Sequence, residues 1–253
     1  MTTPAASLYP TPTAPAKPAA LWEDFVDIFT QPAAVFERRR DGRFGMALLV
    51  LTVLAAAIFF ATRPLMQPLI DRVMEYGMAQ QVRQGEITAE QAAQARQMMG
   101  GFSNVMAAVG AVFGVPVLVL LSALLLWLGG KAVEVRMSFA QAMTVATYAN
   151  VPRVFVGGVL GALLLLVVDV ERFAPMLQSA PLGPAFLLGA DANPILVMLA
   201  QRFDLLTLWS TVLAGIGAAV MGRTTRGRGF AASAIVWGVA TLYALYQGWK
   251  YTL

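Results

Sequence analysis

Apolar residues gather along this chain into five long blocks separated by polar seams. The clearest block, residues 102–130, runs for 29 positions without a charged side chain. An α-helix needs about 20 apolar residues to cross a bilayer core. In hydrocarbon every backbone amide must be satisfied within its own segment, so each block is predicted to be a helix. The predicted spans are 44–62, 102–130, 143–168, 203–222 and 229–249. The second carries Gly114 and Pro116 as a kink. The third is the least regular. A mildly apolar stretch, 137–151, meets Pro152 and Arg153 before 154–168 resumes. This predicts one long helix kinked at Pro152, with Arg153 near the inner interface. The fold class is all-α: a polytopic integral membrane protein with five transmembrane helices plus amphipathic interfacial helices.

Shorter patterns lie between the blocks. Leu21, Trp22, Phe25, Ile28 and Phe29 recur at three- and four-residue steps, with Glu23, Asp24 and Asp27 off that face. This spacing predicts a short interfacial helix. Thr30 can cap a second helix, with Pro32 in its first turn and Val35 and Phe36 on its apolar side. Those apolar residues serve either packing on the spans or contact with lipid. Between the first two spans, Leu69, Ile70, Val73, Met74, Met78 and Val82 form one stripe, and Gly85 stops it. Thr88 with Gln91 makes a capping box that opens a further helix. Residues 63–101 are therefore expected to be a helical hairpin folded back on the outer face. A second external segment, 169–203, holds prolines at 175, 181, 184 and 194 and a short interfacial helix at 195–200. Residues 1–20 contain five prolines and no apolar core. A disordered tail is expected there, with no cleavable leader.

Charge sets orientation. Only 13% of the 253 residues are charged, against about 25% in soluble domains. Basic residues at 38, 39, 40, 43, 131, 136, 223, 226 and 228 crowd the short seams. Lys and Arg mark cytoplasmic loops, so the N-terminus is expected in the cytoplasm and the C-terminus in the periplasm. The net charge of +4 is explained by these seams, and no nucleic-acid partner is expected. Fifteen Arg against three Lys, in Ala-rich spans, fit a GC-rich genome and a bacterial inner membrane.

The chain has no cysteine and no histidine. Thiol chemistry, a Ser-His-Asp triad and the commonest metal ligand are excluded. No cofactor, metal or catalytic residue is expected. Arg153, Asp169 and Asp204 fall near span ends, and Asp204 reads as a helix cap or a partner of Arg202. Lys131 and Ser138 share a helix face with Glu134 between them, which predicts an interfacial salt bridge. Gly110/Gly114, Gly157/Gly161 and Ala214/Ala218 have the four-residue spacing that lets helices approach, within one bundle or between copies. Trp22, Trp127, Trp209 and Trp249 read as interface anchors and Trp237 as packing.

Three segments carry a family resemblance. DIFTQPAAVFERR (27–39), GGKAVEVRMSFAQAMTVATYANVP (129–152) and RFDLLTLW (202–209) together resemble, in order and spacing, the Yip (Ypt-interacting protein) family in its bacterial branch. The resemblance implies five spans with a cytoplasmic N-terminus. It also implies kinship with eukaryotic proteins that act in vesicle trafficking and bind Rab-type GTPases and each other. It carries over no catalytic residue. The expected function is a non-enzymatic membrane organiser or adaptor, acting through the N-terminal helices and the 129–142 loop. The partners expected are the lipid bilayer and a membrane protein or a second copy. The candidate interaction or structural residues are Pro32, Phe36, Gly130, Lys131, Phe139, Tyr148, Pro152, Phe203, Asp204 and Trp209. Two alternatives stay open. A transporter or permease subunit requires Arg153, Asp169 or Asp204 to converge on a water-filled space. An accessory subunit of a larger complex would dock through 63–101.

Overall fold

The computed structural model describes residues 20–252 except 178, and only the backbone of 99–104. The expected tail therefore lies, apart from Ala20, outside the described residues. The described residues form α-helices and short turns: α1 (Leu21–Thr30), α2 (Pro32–Arg38), α3 (Gly45–Arg83), α4 (Ala89–Ala132), α5 (Phe139–Ala149), a π-helical turn (Pro152–Gly157), α6 (Gly158–Leu164), α7 (Pro194–Arg202), α8 (Leu205–Met221) and α9 (Arg226–Lys250). Among the described residues four units are long and apolar enough to cross a membrane: α3, α4, the unit from α5 through α6, and α9. The pair α7–α8, bent by 46°, meets that condition jointly and brings the number to five.

Local chemistry explains most helix ends. Thr88 Oγ1 accepts the Gln91 amide at 3.2 Å while Gln91 Oε1 accepts the Thr88 amide at 2.8 Å, the reciprocal box that opens α4. Ser138 and Gln141 repeat it at 3.2 and 2.8 Å to open α5. Gly85, at φ +71°, takes the left-handed turn after α3 that a side chain resists. Pro32 holds the first position of α2, as expected. The cap position before it belongs to Gln31, which makes no side-chain cap bond; Thr30 closes α1 instead.

The 63–101 segment is helical on both arms, but neither arm is a separate folded-back helix. Each continues a span. The 39 residues of α3 and 44 of α4 reach roughly 58 and 66 Å at 1.5 Å per residue, about twice a ~30 Å hydrocarbon core. The fall in hydropathy near Arg63 marks where lipid contact ends, not where hydrogen bonding ends. Pro64 and Pro68 lie inside α3 without stopping it.

Two buried clusters hold the ends of the bundle. At the α1–α2 end, Phe36, Val145, Tyr148, Leu213 and Leu126 pack together. At the opposite end, Phe173, Leu177, Ala185 and Val197 pack against Tyr76 and Tyr251. Between them α8 lies on α9, where Gly215 and Gly229 touch across the crossing. The expected small-residue pairs divide. A Cβ on Gly157 would meet Leu206, and one on Gly161 would meet Ala180, whereas Gly110 and Gly114 face open space.

Candidate functional site

The α1–α2 end is where the chain concentrates its polar architecture. Ile28, Val35 and Phe36 are fully buried, and α2 rests on α8 while α1 touches α5. The two helices thus pack on the protein's own spans. Trp22 is nevertheless 68% exposed and Val26 is open beside it, so α1 also presents an apolar edge outward.

Asp24 is not on the polar face. It is completely buried, and it is the hub of the clasp. Arg38 Nε and Nη2 donate to its Oδ1 at 2.9 and 2.7 Å. Arg39 Nε donates to its Oδ2 at 2.5 Å, and the Tyr148 hydroxyl donates there at 3.4 Å. Arg38 Nη2 also reaches Asp27 Oδ2 at 2.6 Å. A buried carboxylate is tolerable only with such paired donors. Burial disfavours the Arg38 and Arg39 cations, but hydrogen bonds and charge from Asp24, and from Asp27 for Arg38, outweigh it. Both guanidiniums therefore titrate above their ordinary value.

Further ties join this clasp to the two neighbouring turns. Arg40 Nη2 donates to the Val220 carbonyl at 2.9 Å, and the Arg40 carbonyl accepts from Gln141 Nε2 at 2.9 Å. Gly42, at φ +78°, sits against Ala140. Gly222 sits against Val135, and Gly217 against Val145 and Phe36, so closely that a Cβ at either would collide. The α2–α3, α4–α5 and α8–α9 turns form one surface. Two non-glycine residues on it, Glu134 (φ 61°) and Arg223 (φ 47°), are held left-handed, a strained conformation that persists only where the surroundings enforce it. A hollow of about 530 Å³ opens here, lined by Lys131, Glu134, Val135, Arg136 and Met137.

The structure sorts nine of the ten sequence-derived candidates into three groups and leaves Pro152 apart. Pro32, Phe36 and Tyr148 belong to the clasp and its underlying core, and Trp209 packs partly buried on the same core. Gly130, Lys131 and Phe139 lie together beside the hollow. The Lys131 ammonium stands 3.5 Å from the centroid of the Trp127 ring, and Phe139 meets that ring edge-on at 5.9 Å. Lys131 is thus held by an aromatic face. The salt bridge expected around Glu134 runs to Arg228 instead, at 2.9 Å.

Phe203 and Asp204 lie apart from both groups, at the break between α7 and α8. Asp204 caps α8: Oδ1 accepts the Leu206 and Thr207 amides at 3.0 and 3.4 Å, and Oδ2 accepts the Leu182 amide at 2.9 Å. No ion pair joins it to Arg202 among the described residues. Arg202 Nε donates to Thr241 Oγ1 at 3.2 Å, and Trp237 Nε1 donates to the Arg202 carbonyl at 3.1 Å. Phe203 meets the Trp237 ring edge-on at 5.5 Å.

Pro152 opens the π-helical turn, and there one expectation fails. Arg153 does not sit near the inner interface. It follows the α5 start, Phe139, by 14 residues, roughly 21 Å along the axis. The helix begins earlier than 143 because the Ser138–Gln141 box starts it. Asp169 is remote from this point, capping a 3₁₀ turn through the Glu171 amide at 3.1 Å.

The profile of the Yip1 domain matches residues 26–246. The chain belongs to the Yip1 domain family. No curated protein and no solved structure matches it. The Yip1 domain takes in Arg38, Arg39, Tyr148, the hollow and the α7–α8 break, and starts two residues after Asp24.

Proposed function

We propose that this Yip1-domain protein is a non-enzymatic adaptor of a bacterial inner membrane, with the α1–α2 end in the cytoplasm and the C-terminus in the periplasm. Lys131, Arg136, Arg223, Arg226 and Arg228 crowd that end, which supports its assignment to the cytoplasm. The observation that carries the adaptor reading is the tying of three separate turns into one rigid surface around the Lys131–Arg136 hollow. Preformed surfaces with a polar rim and a held aromatic anchor are what partner recognition requires. The partner is a membrane protein or a second copy of the chain, reached through Lys131, Phe139 and the exposed edge of α1.

A photo-crosslinking residue placed at Arg136 in the full chain tests this in intact cells. The wild-type background should yield a discrete adduct. Lys131→Ala with Phe139→Ala should remove it by about tenfold or more while membrane insertion stays unchanged. The lost cation–π contact amounts to only about 1 kcal/mol, so the fold survives. An adduct of undiminished yield in the double variant would exclude this surface as the contact.

A further inference from the structure

At the α7–α8 break the protein holds more positive charge than it neutralises, at a depth where lipid surrounds it. Arg153 lies within the α5–α6 span, on a π-helical turn; such turns are frequent at functional positions. Its side chain is exposed, and among the described residues it makes no hydrogen bond and no ion pair. Gly157, one turn on from Arg153, lies against Leu206, two residues after Asp204, so Arg153 is next to the break that carries Asp204 and Arg202. Arg202 uses Nε on Thr241 and leaves its two Nη groups without a hydrogen bond among the described residues. Asp204, the one acid between them, already serves three backbone amides.

The facing helix adds a second unsatisfied group. Gly157 packs against Leu206, so one turn toward the α1–α2 end Arg153 stands level with Ser210. The Ser210 hydroxyl is buried and has no hydrogen-bond partner among the described residues. An unpaired cation within a membrane is costly and calls for a partner. Arg153 stands 11 residues before Leu164 at the end of α6 and 14 after the start of α5, so the rim on the α7 side, roughly 16 Å along the axis, is the nearer one, and its long side chain reaches toward the phosphate level on that side.

We propose that Arg153 and Arg202 bind the phosphate of an anionic membrane lipid that enters from the leaflet on the α7 side. Guanidiniums suit phosphate because their planar N–H donors match its oxygens. The ligand is an amphiphile and not a free ion, because the surface around Arg153 is apolar and open. Phe155, Leu205 and Leu208 are all exposed there, and acyl chains would cover them.

The test uses the full chain in nanodiscs of phosphatidylcholine doped with phosphatidylglycerol, with retained lipid counted by native mass spectrometry. Wild type should hold one phosphatidylglycerol that survives dilution. Arg153→Gln should weaken that lipid about tenfold or more. Arg153→Lys should recover most of it. Arg202→Gln should match the glutamine variant at 153, with circular dichroism confirming that it folds. Arg136→Gln, at the other end, should leave this lipid in place. Arg153 has no protein partner to lose, so its variant reports on the ligand and not on folding. Retention of the lipid by Arg153→Gln at wild-type strength would overturn the proposal. So would its complete displacement by millimolar inorganic phosphate, which would make the ligand a free anion.

Discussion

Asp24→Ala should free α1 and α2 from the bundle and expose the Arg38–Arg40 segment to trypsin about a hundredfold faster than in wild type. The carboxylate is fully buried and gathers two guanidiniums and a phenol. Removing one partner from such a set strands the others, which typically costs 3–5 kcal/mol. The lower end applies, because the Arg38 and Arg39 side chains remain 31% and 25% exposed and water can recover part of the loss. About 3 kcal/mol corresponds to that hundredfold change when cleavage follows the population of the opened clasp. Asp24→Asn keeps the shape and an acceptor but loses the charge, and should fall between. Adding Arg38→Ala and Arg39→Ala to Asp24→Ala should cost less than the separate losses summed, since all three belong to one network. Tryptic rates unchanged by Asp24→Ala would show that the clasp does not hold the N-terminal helices.

Gly229→Leu should damage the membrane-embedded bundle itself. A Cβ at 229 would run into the Gly215 carbonyl oxygen and would stand 2.7 Å from Ala219 Cβ and 2.8 Å from its amide nitrogen. Overpacking a core typically costs 1–3 kcal/mol. Here the obstacle is mostly backbone, so a loss of about 3 kcal/mol or more is expected, seen as a sharply lowered Tm in detergent with loss of a monodisperse peak. Gly238→Leu on the same helix is the control. That position faces open space, and replacing Gly by Leu in a helix gains about 1 kcal/mol of propensity. An equal loss at both positions would mean that the α8–α9 approach is not the cause.

The contrast between Asp24 and Thr88 shows what was legible in the sequence. Thr88–Gln91, Gly85 and Pro32 act through their own backbone neighbours, so local rules place them. Asp24 acts through residues 14, 15 and 124 positions away. It sits three residues after Leu21 and four before buried Ile28, at the border of the apolar face, where a carboxylate reads as a solvated flank because its partners are distant in sequence. The Ser138–Gln141 box is a second local signal, and it starts the third helix four residues before 143. With it, Arg153 moves from the rim to mid-helix. The Gly215–Gly229 contact joins two helices and carries no local signature; Ala214 and Ala218 showed only that α8 has a narrow face. Hydropathy located the spans but not the helices, which is why α3 and α4 run on past the lipid.

The proposed topology has five crossings, with the α1–α2 end and the C-terminal end in opposite compartments. Because the chain has no cysteine, single cysteines can be introduced at Glu134, Arg223, Asp191 and Thr252 and treated in intact cells with a thiol reagent that cannot cross membranes. Cysteine at 191 and 252 should label from outside, and at 134 and 223 only after the membrane is opened. Labelling of 134 and 252 from the same side would contradict it.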